Sequence, residues 1–367
     1  MSTFTPTFTP TPTLVPALAP LLEVVTPAPR AAWRALLEGQ GPTPIESTPD
    51  WMDCLEAAGR HVDASRLYRF GDGRAVVVPL AASRHGSRLA PVSSLPFDWG
   101  FGGVVTGGTA LAPEEINVVL DDLTALPTVR LRLALTPATP VDWATAAAGR
   151  FPATDERTVY IIDLAGGMDG VLRGYSTNRR KSVRRAERRG VEVEVDRTGR
   201  RLGVFFELFD ASIRRWAQEQ HEPLALCRYR NHRANSRAKL ATVARVLGER
   251  CAVWTAWVDG RPAAASIVLR NGPYVTAWKS AADIPEFGST GAVDLLKTAV
   301  IADACADGAL IYDLGEARPG SNLAKFKAAY GAREHRVLVS ERERLPLRRA
   351  EGLARATVRR AVGFRDR

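Results

Sequence analysis

Residues 254–281, WTAWVDGRPAAASIVLRNGPYVTAWKSA, contain three apolar runs that are separated by the turn sequences DGR and NG. Turns of this kind between β-rich runs predict an antiparallel meander, because Asp-Gly and Asn-Gly favour tight hairpin turns. The chain continues as STGAVDLLKTAVIADACADGALIYDLG, which predicts a helix at residues 291–306 and another strand at 309–315. This order of elements is typical of an α/β fold with a largely antiparallel sheet.

Further helices and strands are predicted on both sides of this region. On the N-terminal side the sequence predicts, in order, a basic helix at residues 171–189, the strand VEVEV, and two longer helices at 202–220 and 233–248. On the C-terminal side it predicts the helix SNLAKFKAAYG, the strand EHRVLVS and a basic amphipathic helix at 347–362.

The first 165 residues predict a separate α/β unit. A helix at residues 51–58 has Ser47 or Thr48 as its cap and Pro49 in its first turn, and helical spacing already begins near Ala31. The β-rich runs SRLYRFG and GRAVVVPLAAS form a predicted hairpin through a GDG turn. The Gly-rich segment SSLPFDWGFGGVVTGG follows, and then the helix PEEINVVLDDLTAL, the strand VRLRLALT, an Ala-rich helix and the strand TVYIIDLA.

The length of 367 residues exceeds the usual range of a single domain, so we predict two globular units. Their expected bounds are 29–165 and 166–343. Repeated Thr-Pro pairs predict a disordered leader at residues 1–28, and residues 344–367 are expected to form a basic C-terminal helix.

The charge balance points to an anionic partner. The formal net charge is +10 and the sequence pI is about 9.8, although a general preference for arginine also accounts for such an excess. The four cysteines form no CxxC pair, which favours a reduced, cytoplasmic protein over a zinc ribbon or a disulfide scaffold. No run of eighteen apolar residues occurs, so we expect no membrane span and leave peripheral contact with a membrane open.

Three stretches of the chain resemble the Fem-type peptidoglycan-bridge aminoacyltransferases, a branch of the acetyltransferase-like (GNAT) superfamily. They are YSTNRRKSVRRAERRGVEVEV at residues 175–195, the run at 254–315, and SNLAKFKAAYGA at 321–332. WMDCLEAAG and PFDWGFGGVV resemble the N-terminal half of these proteins more loosely. The resemblance implies two tandem acetyltransferase-like (GNAT) domains, each a mixed, largely antiparallel sheet flanked by helices, with a cleft between them.

The resemblance also implies a transferase that forms an amide on an amine acceptor. In bridge-forming members the donor is an aminoacyl-tRNA, and the acceptor is an amine on a peptidoglycan precursor. Other members use a thioester donor such as acyl-CoA, and some act in natural-product assembly. We therefore expect no permanently bound cofactor, and either aminoacyl-tRNA or acyl-CoA as the co-substrate. A non-catalytic module that binds RNA or a precursor is the alternative of another class.

Two segments are candidates for binding the donor. The first is the basic helix, with Arg179, Arg180, Lys181, Arg184, Arg185 and Arg188. Like charges at these spacings destabilise a helix, and phosphate groups would compensate for them, but a solvated arginine-rich face is the alternative. The second is Ser289, Thr290 and Gly291, where a GNAT enzyme places its pyrophosphate loop at a helix N-terminus. No Arg or Gln precedes Gly288 at the usual spacing, so an ordinary helix cap is equally compatible with the sequence.

The catalytic candidates lie near the C-terminal end of the second unit. Lys327, next to Phe326, matches a family lysine that is thought to stabilise charge at the reacting carbonyl, although an exposed surface lysine is the alternative. Lys325 and Lys327 differ by two positions, so only one of them can point into the cleft. Asp313, and Glu316 after it, follow a strand and could accept a proton from the attacking ammonium, or simply bind loop amides.

Asp98, Trp99 and Gly102 are acceptor candidates because they resemble the family's N-terminal acceptor segment, and Trp278 on a predicted strand could line the cleft. A Gly-rich turn and core packing of the tryptophan are the alternatives. Other enzyme classes are disfavoured by the sequence. Gly108 stands where a P-loop requires lysine, so a nucleotide hydrolase is not expected. The five histidines form no HExxH pattern, which argues against a zinc enzyme. GSTG lacks the GxSxG arrangement, so a hydrolase with a serine nucleophile is not expected either.

Overall fold

The computed structural model describes residues 18–86, 89–151, 153–361 and 363–364. Residues 1–17 of the predicted leader lie outside the described residues. The rest of that leader contains a β-strand, Leu21–Val25, which pairs with the hairpin strand Arg66–Phe70, so regular structure begins before the expected residue 29.

The described chain alternates strands and helices. The strands are β1 (Leu21–Val25), β2 (His61–Asp63), β3 (Arg66–Phe70), β4 (Ala75–Val78), β5 (Ala81–Ser83), β6 (Val92–Ser93), β7 (Arg130–Ala134), β8 (Ala153–Asp163), β9 (Glu192–Asp196), β10 (Cys251–Val258), β11 (Arg261–Asn271), β12 (Tyr274–Ala282), β13 (Ile311–Glu316) and β14 (Arg333–Glu343). The helices are α1 (Arg30–Gly39), α2 (Pro49–Ala57), α3 (Pro113–Ala125), α4 (Val141–Arg150), α5 (Gly167–Gly174), α6 (Thr177–Arg188), α7 (Leu202–Glu219), α8 (Leu224–Ala234), α9 (Arg237–Leu247), α10 (Ile284–Phe287), α11 (Ala292–Ala306), α12 (Asn322–Ala328) and α13 (Leu347–Ala361). A short 3-10 turn, Ile45–Ser47, precedes α2.

Most strands belong to one sheet of eleven strands, in the order β2-β5-β6-β7-β14-β8-β13-β12-β11-β10-β9. The predicted meander is confirmed as antiparallel pairs β10–β11 and β11–β12, and the predicted hairpin as β3–β4. Two pairs of this sheet, β6–β7 and β12–β13, are parallel. The predicted fold class, mixed α/β with a largely antiparallel sheet flanked by helices, is therefore confirmed.

The two faces of the meander carry different cores because successive side chains of a strand point to opposite sides. Val253, Ile267 and Leu269 face a core that includes the phenylalanines of α7. Trp254 and Val268, one position away along the strands, face a second core beneath α11. This alternation places one group of helices on each face of the sheet.

Strand β14 joins the two halves of the chain. It pairs with β7 on one side and with β8 on the other, both antiparallel. Strand β8, which belongs to the first predicted unit, itself pairs with β13. The two predicted units thus share a continuous sheet.

Two predicted helices are wrong in detail. The basic helix expected at 171–189 is two helices, α5 and α6, because Ser176 interrupts it: its backbone N–H donates to Ala329 and its side chain caps α6 by accepting from Arg179 N at 3.3 Å. The helix expected at 233–248 is α9 alone, and α8 precedes it, because Ser236 caps α9 and ends the preceding segment.

Candidate active site

The strands β12 and β13 separate in the middle of the sheet. They pair in parallel only from Tyr274 and Ile311 to Thr276 and Asp313. On the other side of β12, Lys279 pairs with Ile267 and Ala277 pairs with Val268, so that Trp278 is the extra residue of a β-bulge. A bulge changes the direction of the strand and of its side chains. The site is therefore bounded by Trp278 and Lys279 on β12 and by the residues after Asp313 on β13.

Lys327 is buried against the end of β13. Ser321 caps the short helix α12 by accepting from Ala324 N, and this orients the helix so that Lys327 is only 6% exposed. Its ammonium group donates to the carbonyl oxygens of Gly315 at 2.8 Å and Glu316 at 2.9 Å. An ammonium has three N–H bonds, and the third has no hydrogen-bond partner among the described residues, although the ammonium lies 5.8 Å from the ring centroid of Tyr160. A fixed cation with one free donor is suited to bind a developing oxyanion.

The surroundings of Lys327 lower the pKa of its ammonium group but leave it mostly protonated at neutral pH. Burial lowers the pKa of Lys327 to about 8, the carboxyl of Asp313 opposes this shift, and the ammonium of Lys297 on α11 adds to it. Burial likewise lowers the pKa of Lys297 to about 8. Lys325, two residues before Lys327, is exposed, so Lys327 is the lysine of α12 that faces inward.

Asp313 is held by its neighbours. The phenol of Tyr274 donates to its Oδ2 at 2.9 Å, and the backbone N–H of Gly315 donates to its Oδ1 at 2.6 Å. Burial raises the pKa of Asp313, while these donors and Lys327 oppose the shift. Both of its carboxyl oxygens are therefore engaged in positioning β12 and the turn after β13.

Glu46 is a second buried carboxyl that the sequence did not reveal. It lies in the 3-10 turn before α2 and is 8% exposed, and its Oε2 has no hydrogen-bond partner among the described residues. Burial raises the pKa of Glu46 to about 8, the negative charge of Asp313 adds to the shift, and Lys279 opposes it. The amide of Asn271, at the end of β11, donates to Thr43 O at 2.9 Å and holds this turn against the sheet.

Three tryptophans from separate parts of the chain meet near Glu46, and a Cβ on Gly100, next to Trp99, would lie 2.7 Å from Glu46 Cγ. Trp51 of α2 contacts Trp99 edge-to-face at 5.5 Å between ring centroids and Trp278 at 5.4 Å, and its indole N–H donates to Trp99 O. The structure thus brings together the predicted acceptor residues Trp99 and Trp278, with Asp98 directly before Trp99. Gly102 has a packing role, because a Cβ there would lie 2.8 Å from Ser94 O.

A lysine on α9, also missed in the sequence, completes this cluster. The ammonium of Lys239 lies 4.4 Å from the ring centroid of Trp99 and donates to Asp98 O at 2.8 Å. Burial lowers the pKa of Lys239 to about 7, and the positive charge of Lys279 adds to the shift. Neither Glu46 nor Lys239 belongs to a motif, and only their burial in the folded chain distinguishes them.

The basic residues of α6 divide into paired and unpaired groups. Arg179 forms an ion pair with Asp294 at 2.5 Å and stacks over the ring of Phe326 at 4.7 Å, which places the start of α6 beside α12. Arg180 donates to Leu172 O, and Arg185 to Ser182. The exposed side chains of Lys181, Arg184 and Arg188 have no partner within the described chain.

The predicted loop at Ser289, Thr290 and Gly291 is packed against α6. Thr290 donates its hydroxyl hydrogen to Phe287 O and accepts from Ala292 N, and a Cβ on Gly291 would lie 2.4 Å from Ser182 O. The first turn of α11 already contains a buried carboxylate, Asp294, which accepts hydrogen bonds from Arg179 and Tyr330. A negative charge thus occupies the helix end at which a donor pyrophosphate would bind.

The described part of the chain also has a surface cavity that lies apart from this site. A surface cavity of about 290 Å³, lined by Trp254, Val268 and Val275 among others, contains none of the candidate residues. No helix in the described part of the chain is both long and apolar enough to span a membrane. Within the same residues, no cluster of three or more His, Cys, Asp or Glu side chains has the arrangement of a metal site.

Comparison with known proteins supports an acyltransferase. The family model described as Acetyltransferase (GNAT) domain matches residues 174–327, from the end of α5 to Lys327. The comparison with curated protein sequences finds no match.

Solved structures show the same fold over most of the chain. The crystal structure of FemX has a TM-score of 0.60 and 12% identity, and the match covers 86% of this chain and 97% of FemX. A protein of unknown function from Bacteroides thetaiotaomicron VPI-5482 has a TM-score of 0.54 and 10% identity, with 89% and 100% covered. Residues 174–327 thus match the acetyltransferase (GNAT) domain, the chain shares its fold with FemX, and the protein is an acyltransferase.

Proposed function

We propose that this acyltransferase forms an amide on an amine acceptor and takes its acyl group from an aminoacyl-tRNA. The observation that carries the proposal is the buried ammonium of Lys327 beside the separating strands β12 and β13, with one N–H that has no hydrogen-bond partner among the described residues. The transfer itself needs an electrophilic carbonyl, a neutral amine and a donor to the oxyanion. Around the separated strands, Glu46 can accept the proton that makes the acceptor amine neutral, and Lys327 can donate to the oxyanion.

The proposed reaction proceeds without a covalent enzyme intermediate. An acceptor ammonium first loses a proton to the ionised form of the Glu46 carboxyl, and the neutral amine attacks the ester carbonyl to form the C–N bond. Lys327 holds the oxyanion of the tetrahedral intermediate. When the intermediate collapses, the C–O bond to the ribose breaks, and the second proton of the nitrogen passes to the departing ribose oxygen. Glu46 then releases its proton to water, which balances the reaction.

Glu46 suits the role of proton acceptor better than Asp313, the residue to which the sequence analysis assigned that role. Both oxygens of Asp313 already accept hydrogen bonds, whereas Oε2 of Glu46 has no partner among the described residues. A base whose pKa is about 8 is also close to that of an amine, and proton transfer is most efficient between groups of similar pKa. The proposed role of Asp313 is to position Tyr274 and the turn after β13.

The donor is proposed to bind through the exposed basic face of α6. Lys181, Arg184 and Arg188 recur at spacings of three and four, so they lie on one side of the helix, with Arg185 beside them. A phosphate backbone would neutralise this face. Arg179 and Arg180, which bond within the chain, and the loop at Ser289, Thr290 and Gly291 are proposed to shape the site near Phe326.

The acceptor is proposed to bind against Trp99 and Trp278, with its amine directed to Glu46 and its approach lined by Asp98 and Gly102. A peptidoglycan precursor or an amine-bearing natural product would fit the likeness to FemX. We propose that the protein acts in the cytoplasm. We also propose two acetyltransferase-like units, at 29–165 with β1 added and at 166–343, that meet at the tryptophan cluster.

Acyl-CoA is the second candidate donor, because GNAT domains generally use acyl-CoA and residues 174–327 match that family model. Asp294 disfavours it, since a coenzyme pyrophosphate would meet a carboxylate at the start of α11. The melting temperature of the protein tests the donor. The proposal predicts that bulk charged tRNA raises it and coenzyme A does not, and the reverse result would replace tRNA by coenzyme A.

A further inference from the structure

The C-terminal helix α13 projects an unusual surface. Every residue of this helix whose side chain the structure describes is exposed, including Leu353 at 64% and Val358 at 50%. The helix is fixed to the rest of the chain near its start, where Glu351 forms an ion pair with Arg130 of β7 at 3.0 Å. This ion pair connects the helix to β7, while Leu353 and Val358 remain exposed.

The apolar residues of α13 share one face. Ala350, Leu353, Ala354 and Val358 follow each other at helical spacings and, at about 100° per residue, span a stripe of about 140°. By the same geometry, Arg349 and Arg360 border the stripe on the side of Leu353, Glu351 borders it on the side of Val358, and Thr357 lies within it. The arrangement is that of an amphipathic helix which lies flat on an interface.

The charge of the helix identifies the kind of interface. Residues 347–361 contain five arginines and one glutamate, and that glutamate is already paired with Arg130. A second copy of this basic chain would be repelled by such a helix. A nucleic acid would match the arginines but would give no reason for the exposed leucine and valine. An anionic lipid surface matches both, because phosphate headgroups meet the arginines while the acyl region accepts the apolar stripe.

We infer that α13 docks the protein on anionic lipid bilayers, with Leu353 and Val358 inserted below the headgroups. The helix lies parallel to the surface and does not cross the membrane. This inference is independent of the donor proposed above, since none of the candidate active-site residues belongs to α13.

The test is co-sedimentation of the full chain with vesicles. We expect binding to vesicles of phosphatidylglycerol and phosphatidylcholine, weaker binding at high salt, and little binding to phosphatidylcholine alone. The double variant Leu353→Asp with Val358→Asp should lower the affinity at least about tenfold, because neither side chain can then insert among the acyl chains. Val141→Asp is the matched control, since Val141 of α4 is also exposed, at 74%, and lies outside the stripe.

Two results would overturn the inference. One is that the wild-type chain does not sediment with the anionic vesicles. The other is that the double variant binds them as tightly as the Val141→Asp control. If the vesicles are not bound and Arg349→Glu instead weakens binding to poly(U), the helix serves nucleic acid and the lipid assignment is wrong. Circular dichroism of each variant confirms that the exposed substitutions leave the fold intact.

Discussion

The ammonium nitrogen of Lys327 lies 2.8 Å from the carbonyl oxygen of Gly315, at the end of the strand that separates from β12. A second carbonyl, from Glu316, holds the same nitrogen at 2.9 Å. These two bonds fix the direction of the remaining N–H, which an exposed and rotating lysine would not do. Preorganised donors of this kind stabilise an oxyanion more than mobile ones.

Replacing Lys327 by Ala should reduce the transfer rate by about a hundredfold or more, because the oxyanion loses its fixed donor. The same change leaves the carbonyls of Gly315 and Glu316 without this partner and should cost about 1–3 kcal/mol of unfolding free energy. Single-turnover kinetics and urea denaturation measure the two effects. Lys325→Ala is the control, since Lys325 is exposed on the same helix. Equal rates for the two variants would remove Lys327 from the mechanism.

Replacing Glu46 by Gln should slow transfer to methylamine, which is protonated at neutral pH, by about a hundredfold. Transfer to hydroxylamine, which is largely uncharged at pH 7, should change little because this nucleophile needs no base. The rates of amide and hydroxamate formation are compared by mass spectrometry. An equal decrease for both nucleophiles would mean that Glu46 has a structural role only. Glu38→Gln, an exposed carboxylate on α1, is the matched control.

The free energy of unfolding should also depend on pH through the titration of Glu46. Its pKa is about 8 in the fold, well above the usual value of a glutamate, so the folded state binds the proton more tightly than the unfolded state. The stabilisation that this bound proton gives the folded state is complete at pH values below the usual pKa of a glutamate, and it is lost as the pH rises to about 8. Glu46→Gln should therefore melt at a higher temperature than the wild type above pH 8. A constant difference from pH 5 to 9 would contradict the assigned pKa.

The exposed face of α6 should determine the affinity for tRNA. The double variant Lys181→Glu with Arg184→Glu should weaken binding about tenfold or more. It should also reduce the dependence of log affinity on log salt by about 0.9 for each phosphate that the variant no longer neutralises. Filter binding at several salt concentrations measures both. Arg245→Glu on α9 changes an exposed arginine elsewhere and should bind nearly as the wild type. Equal weakening in both cases would indicate a general effect of net charge.

Arg179 should behave differently from its neighbours on α6. Its ion pair with the buried Asp294 predicts that Arg179→Met costs about 3 kcal/mol of unfolding free energy, because an unpaired carboxylate remains inside. Its effect on tRNA affinity, measured at a temperature where the variant is folded, should be smaller than that of Lys181→Glu. A decrease in tRNA affinity without a decrease in stability would instead place Arg179 in direct contact with the donor.

Local chemistry explains which parts of the fold the sequence could predict. The DGR and NG turns fixed the meander, and Pro49 with Thr48 fixed the start of α2, where the Thr48 side chain accepts from Trp51 N. The break between α5 and α6 was missed because it depends on a long-range bond from Ser176 to Ala329. The joining of both halves by β14 depends on pairing with β7, some two hundred residues away in the chain, which periodicity cannot indicate.

The same distinction applies to the site. Lys327 and Trp99 were predicted through the family resemblance and Trp278 from its place on a predicted strand. The structure places Trp99 and Trp278 together against Trp51. Glu46 and Lys239 stand in no motif, and their significance arises from burial by segments that are distant in sequence. The pairing of Arg179 with Asp294 was equally hidden, because the carboxylate comes from another helix.

Formation of a hydroxamate from hydroxylamine is the decisive test of acyl transfer from aminoacyl-tRNA, because it needs no knowledge of the natural acceptor. The wild-type chain is incubated with bulk charged tRNA or with acetyl-CoA, and the uncatalysed reaction is subtracted. We predict catalysed aminoacyl hydroxamate from charged tRNA, little acetyl hydroxamate from acetyl-CoA, and loss of the former in Lys327→Ala. Catalysis from acetyl-CoA alone, or from charged tRNA at the same rate in Lys327→Ala, would contradict the account.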